Sequence, residues 1–189
     1  MKNLLMLLVF FAMAACGTSL TEKEKQEYAK KGNEISQATF KALSEKLTEQ
    51  MKLGGPAQAI PFCNVEAIPL THQLSEEFNV TIKRTSDKLR NKENKPSSRE
   101  LEIINNYHKL ISEKQEIMPI VEIDSNHKKH YYAPIVLKAN CLACHGKVEE
   151  FVSVKTDSII KSLYPNDKAT GYNEDDLRGI WSITFAESN

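Results

Sequence analysis

Apolar residues recur with a helical period through the first long polar stretch, "LTEKEKQEYAKKGNEISQATFKALSEKLTEQMKLGG". Tyr28, Ile35, Phe40, Leu43, Leu47 and Met51 share one side of an otherwise charged ribbon. The spacing predicts one long amphipathic helix that stops at Gly54 and Gly55. The next run, "PAQAIPFCNVEAIPLTHQLSEEF", reads as a second, mostly apolar helix, irregular because Pro61 and Pro69 each remove a backbone donor. It sets Cys63 among apolar neighbours. The period then changes. "NVTIKRT" reads as a strand, "KLRNKENKPSS" carries turn chemistry, and "RELEIINNYHKLISEKQ" returns to helical spacing with Ser98 as its expected cap. "IMPIVEID" and "KHYYAPIVL" flank "SNHK" as the two arms of a hairpin. "EEFVSVKTDSIIKSLYP" reads as a helix stopped by Pro165, and "RGIWSITFAE" as a last strand in which Trp181, Ile183 and Phe185 alternate.

Helices placed before and between antiparallel strands predict an α/β (α+β) domain, a small antiparallel sheet with flanking helices and a long N-terminal helix. With 189 residues, 41% hydrophobic and 26% charged, the chain is large enough for one domain with a real core. Basic and acidic residues balance at 25 each, which argues against nucleic acid as a partner. No paired carboxylates, phosphate-binding glycine loop or Ser-His-Asp pattern stands out, so a hydrolase or nucleotide enzyme is disfavoured and no catalytic residue is assigned.

The N-terminus alters the picture of where the domain works. "MKNLLMLLVFFAMAAC" has one charge at Lys2, an apolar run from Leu4 to Phe11, and small residues Ala14 and Ala15 before Cys16, the layout of a secretory signal. The small pair directly before a cysteine resembles a bacterial lipobox, although Met13 stands where Leu is commoner. The expected organisation is a signal peptide over residues 1–15, a tether over 16–24 beginning at lipidated Cys16, and the domain over 25–189. Ordinary cleavage nearby, or a short retained anchor, is the alternative. An exported lipoprotein of the bacterial cell envelope, facing the periplasm or the cell surface, is the location this implies.

Candidate chemistry concentrates in "KANCLACHGKVEE", where Cys141, Cys144 and His145 fall within five residues. A structural zinc site needs four ligands, and no second Cys-x-x-Cys or finger-spaced His pair accompanies the first. A thioredoxin-like thiol pair or a disulfide would use the cysteines but leave His145 without a role. Covalent attachment of one haem c uses all three: the thiols add to the two vinyl groups and the adjacent imidazole reaches the iron as proximal ligand. Haem attachment is the favoured reading, with a disulfide or redox pair as the alternative. Once Cys16 carries lipid, Cys63 is left as the odd cysteine.

The stretches "AIPFCNVEA", "IKRTSDKLRNKENKP", "YYAPIVLKANCLACHG" and "YPNDKATGYNEDDLRGIWSITF" resemble the PAS-like c-type haem domains over roughly residues 25–186. Lys92 and Asp175 depart from positions where that family often has Pro and Gly. The resemblance implies a PAS-like sheet, one haem c, and use as a redox or gas sensor. It also implies Cys63 as distal iron ligand, since some relatives use cysteine there; Met118, His130, His127, His108 and His72 are the substitutes. Arg84, Lys88 and Arg90 are candidate partners for the haem propionates. Tyr132 and Pro134, just before the motif, and Trp181 are expected to pack its pocket.

Two functions follow from these readings. The first is a membrane-tethered haem domain that reports redox state or a diatomic gas such as CO or NO to a signalling partner. The second is an envelope electron carrier that serves a redox partner protein. Peroxidase-like activity at an open iron is a third, less favoured class.

Overall fold

The computed structural model describes residues 19–186. The signal peptide and Cys16 lie outside them, and among the described residues no helix is long and apolar enough to cross a membrane. Leu20 is already buried and Thr21 caps helix α1 (Glu22–Glu77) through a reciprocal box with Glu24. The helix therefore begins inside the segment expected to be tether.

Helix α1 is continuous in hydrogen bonding but not in direction. Gly54 (φ −164°, ψ 22°) and Gly55 (φ 65°, ψ −157°) leave helical geometry. Gly55 occupies a region of backbone space that is essentially glycine-only. Ile35 and Leu74 belong to the same core cluster; at 1.5 Å per residue a straight helix would hold them roughly 58 Å apart. The two arms thus fold back on each other as a helical hairpin, and Gln58 Nε2 donates to Gln50 Oε1 across the turn at 3.1 Å. The two helices expected from the sequence are these arms. Pro56, directly after the turn, starts the second arm, where a missing donor costs nothing.

Four strands make one antiparallel sheet: β1 (Val80–Thr85), β2 (Ile120–Ile123), β3 (Lys129–Val136) and β4 (Leu177–Phe185), in the order β1-β4-β3-β2. Helices α2 (Ser98–Ser112), α3 (Leu142–His145) and α4 (Val154–Leu163), with 3₁₀ turns at Lys92–Asn94 and Ala139–Cys141, complete the described elements. The α+β architecture and the hairpin β2–β3 agree with the sequence pattern. Two boundaries do not. Ser97, not Ser98, caps α2: with Ser97 as cap, the third helical residue is Glu100, which closes a capping box, whereas Ser98 would place Leu101 there. Helix α4 starts at Val154, five residues into its expected span, because Ser153 caps it by accepting from Thr156 N.

The sheet separates two cores. Ile82, Tyr131, Ala133, Trp181, Ile183 and Phe185 face the α1 hairpin, where they meet Ile35 and Leu74. Tyr132, Leu177 and Ile180 face α2 and meet Ile103, Ile104 and Tyr107. Covered on both faces and paired on both edges, β4 is buried almost throughout, so the alternation expected of a half-exposed strand disappears. Gly32 lets α1 approach the sheet, since any Cβ there would overlap the ring of Tyr131.

Candidate functional site

The Cys141–His145 segment is a short 3₁₀ turn running into the single turn of α3, anchored by buried Leu142. Its two thiols point into different apolar clusters. Cys141 packs with Leu137, Ala169 and Tyr172. Cys144 packs with Val152, Ile160, Tyr164 and, from the second arm of α1, Ile60. No disulfide joins Cys63, Cys141 and Cys144.

Residues 165–172 return to the segment and fix the imidazole. Gly171 N donates to Gly146 O at 2.9 Å and Tyr172 N to His145 O at 3.0 Å. His145 Nδ1 lies 2.7 Å from Ala169 O. A carbonyl only accepts, so Nδ1 carries the proton and Nε2 keeps its lone pair, the arrangement a metal-binding histidine uses. Burial holds the His145 pKa well below the ordinary histidine value, and the charges of Arg90, Arg178 and Arg84 push the same way. The imidazole is therefore neutral at physiological pH, as a ligand must be.

Three arginines surround this imidazole, and they differ in what they touch. Arg90 Nε donates to Asp167 Oδ1 at 2.9 Å and Nη2 donates to Cys144 O at 2.7 Å. Its hydrogen bonds serve the motif and its supporting loop, a different task from the propionate role expected of it. Arg84 lies 5.8 Å from the Trp181 ring centroid, beside its strand partner. Arg178 donates to Lys88 O at 3.0 Å and lies 5.8 Å from the Tyr172 ring. Lys88 sits 4.8 Å over the same ring. Among the described residues, neither Arg84 nor Arg178 has a carboxylate partner. The Tyr172 hydroxyl is buried with no hydrogen-bond partner.

Cys63, on the second arm of α1, faces the same positive field. Burial raises its pKa above the ordinary thiol value, while Arg84 and Arg90 act against that rise. Burial likewise raises Cys144, opposed by Arg90. Both are thiols without an outside cation or metal, unlike the depressed thiols of reactive cysteine sites. Among the described residues there is no group of three or more His, Cys, Asp or Glu side chains placed to hold a metal ion.

Not every expected residue reaches the motif. Tyr132 and Pro134 lie on the α2 face of β3, because side chains two apart share a face and Tyr132 packs with Ile104 and Ile180. Trp181, by contrast, faces the α1 hairpin beside Arg84, one of the arginines around the imidazole. Of the substitute ligands, His130 is held between Asp124 Oδ2 at 3.2 Å and Thr184 Oγ1 at 3.1 Å. His108 pairs with Asp87, Met118 is exposed, His127 sits in the hairpin turn, and His72 lines a groove at the far end of α1 with Thr184.

Arg178 and Asp167 are the residues that the sequence reading missed. Arg178 owes its direction to a β-bulge: Ile135 pairs with Gly179 but Val136 with Leu177, leaving Arg178 as the extra residue. Leu177 and Ile180 consequently share the α2 face, and Arg178 turns toward Tyr172. Gly179, whose Cβ would collide with Thr85 O, is the signal available in the sequence, since a glycine inside a strand marks a bulge or close approach.

The model of the Tll0287-like family matches residues 19–186. Among solved structures, the crystal structure of the cyanobacterial heme-protein Tll0287 is similar, with a TM-score of 0.60, covering 80% of this chain and 92% of that one. Identity with it is 19%, so the likeness concerns the fold. A search of curated proteins found no match.

Proposed function

Since the chain belongs to the Tll0287-like family, we propose that it is a c-type haem protein, anchored through Cys141 and Cys144 and ligated by His145. The observation that carries this reading is the bond from His145 Nδ1 to Ala169 O, which presents a neutral Nε2 beside two thiols in separate apolar clusters. The surroundings fit the group. Arg84 and Arg178, without carboxylate partners, match its two propionates, and the unpartnered Tyr172 hydroxyl offers a further polar contact. Bound there, haem supplies a one-electron couple and a coordination position for a diatomic gas.

Cys63 is the distal ligand in this proposal. Its partly buried thiol ionises only with help, which Arg84, Arg90 and a ferric centre would give together. A thiolate binds a ferrous centre less well, so Cys63 is the group through which redox state or CO or NO would be read. We therefore favour sensing, with Cys16 carrying the lipid tether to the envelope. That neither Cys141 nor His145 is fully buried favours outer-sphere electron transfer as the second reading.

Exported expression of the full chain with haem-maturation factors tests the proposal. Pyridine haemochrome spectra should show covalent haem c that is lost in Cys141→Ala/Cys144→Ala. Cys63→Ala should change the ferric optical and spin-resonance spectra, and Cys16→Ser should move the protein out of the detergent phase. Absence of covalent haem from the parent refutes the central claim; spectra indifferent to Cys63 remove it as ligand.

A further inference from the structure

Arg90 and Asp167 stand 77 positions apart and form a buried ion pair, with side chains 14% and 5% exposed. The pair is more than a brace. Arg90 Nη2 donates to Cys144 O at 2.7 Å and to Ala169 O at 3.3 Å. Ala169 O also accepts His145 Nδ1 at 2.7 Å, so one carbonyl oxygen uses its lone pairs on the cation and on the imidazole together. Asp167 Oδ1 in turn accepts Ala169 N at 3.2 Å, which fixes the peptide that bears this carbonyl's residue.

We propose that Arg90 and Asp167 form a charge-balanced clasp that positions His145 and sets how much electron density it gives to a bound iron. The inference rests on the haem c reading of the site. The Arg90 cation draws on the Ala169 oxygen and weakens its pull on the Nδ1 proton. Proximal histidine is left closer to plain imidazole and less like imidazolate. Asp167 offsets that cation. At this depth neither charge is screened as a surface charge would be. Removing the cation and removing the anion should therefore act in opposite directions on the iron, because ferric iron carries one more positive charge than ferrous. Loosening of a structural brace would send both variants the same way.

The test compares midpoint potentials of the haem-loaded full chain with those of Arg90→Gln, Arg90→Lys and Asp167→Asn. Arg90→Gln should favour the ferric form about tenfold, equivalent to about 59 mV downward for a one-electron couple. Asp167→Asn should move the potential upward, and Arg90→Lys should fall between the parent and Arg90→Gln. Shifts of the same sign in Arg90→Gln and Asp167→Asn, or no shift in either, overturn the proposal. If Arg90→Gln does not retain haem, the His145 Nδ1–H proton resonance in the metal-free full chain gives the same sign test. It should move downfield in Arg90→Gln and upfield in Asp167→Asn, and unchanged resonances overturn the clasp. A parent chain without covalent haem refutes the reading on which the clasp rests, an outcome distinct from any behaviour of the variants.

Discussion

Glu100 is 6% exposed yet meets two partners, accepting Ser97 N at 2.7 Å and Lys83 Nζ at 2.7 Å. Burial alone would raise its pKa, but the Lys83 ion pair and the bond from Ser97 outweigh it and hold the carboxyl below the usual glutamate range. A carboxylate with a depressed folded-state pKa adds stability that is present above its unfolded value of 4.5 and lost as pH falls through the lower folded value. Thermal melts of the full chain should thus fall as the pH drops below about 4.5. In Glu100→Gln that part of the acid dependence should vanish, and an unchanged profile would show the pair to be idle. Residues of this kind separate what sequence could and could not tell. Cys141, Cys144 and His145 are legible because their chemistry requires local spacing. Arg90 was legible as a candidate propionate partner, and the contacts it makes depend on Asp167 arriving from the other end of the domain. Arg178 depends on a bulge that periodicity skips.

Elements were easier to read than their ends. The helix α2 follows from periodicity, since one face is buried and the other is not, and the hairpin β2–β3 from two apolar runs flanking a turn. The cap of α2 turned on two adjacent serines, and only the identity of the third helical residue distinguishes them. Ser97→Ala should cost about 1 kcal/mol in chemical denaturation, while Ser98→Ala should change stability by no more than a few tenths. Equal losses at both positions would contradict the assigned capping box. β4 was legible from the alternation of Trp181, Ile183 and Phe185, which the structure gathers in one core, although a strand covered by α1 and α2 has no polar face. Tyr132 and Pro134, expected to pack the haem pocket, lie on the α2 face of the sheet. Proximity along the chain does not decide on which side of a sheet a residue falls.

Across the whole molecule, the glycine pair in α1 determines the topology. Gly55 has open space around its Cα, so a side chain there is opposed by backbone conformation alone. Gly55→Ala should cost roughly 1–3 kcal/mol and weaken the reversal between the arms. With the turn weakened, the second arm can pair with the sheet of another copy, the ordinary route to a swapped dimer. Light scattering after size exclusion should show a larger share of doubled mass for Gly55→Ala than for the parent, and an unchanged distribution would mean that the arms are held by packing alone. The hairpin was legible as two helices and a glycine break. Its folding back was not, because the partners that hold it, Ile35 and Leu74, are apolar residues with no local mark of which surface they meet.

The clasp also has a meaning in time. Apart from Ile60 against Cys144 and Arg90 on its carbonyl, the contacts that shape the Cys141–His145 turn come from Leu137 through Tyr172, and can form early in folding because closing a short loop costs little. Arg90 must wait until the two halves of the domain have met. On the haem c reading proposed above, the thiols would be open to attachment before the clasp shuts. Closure of Arg90 onto Asp167 would then mark the end of that interval.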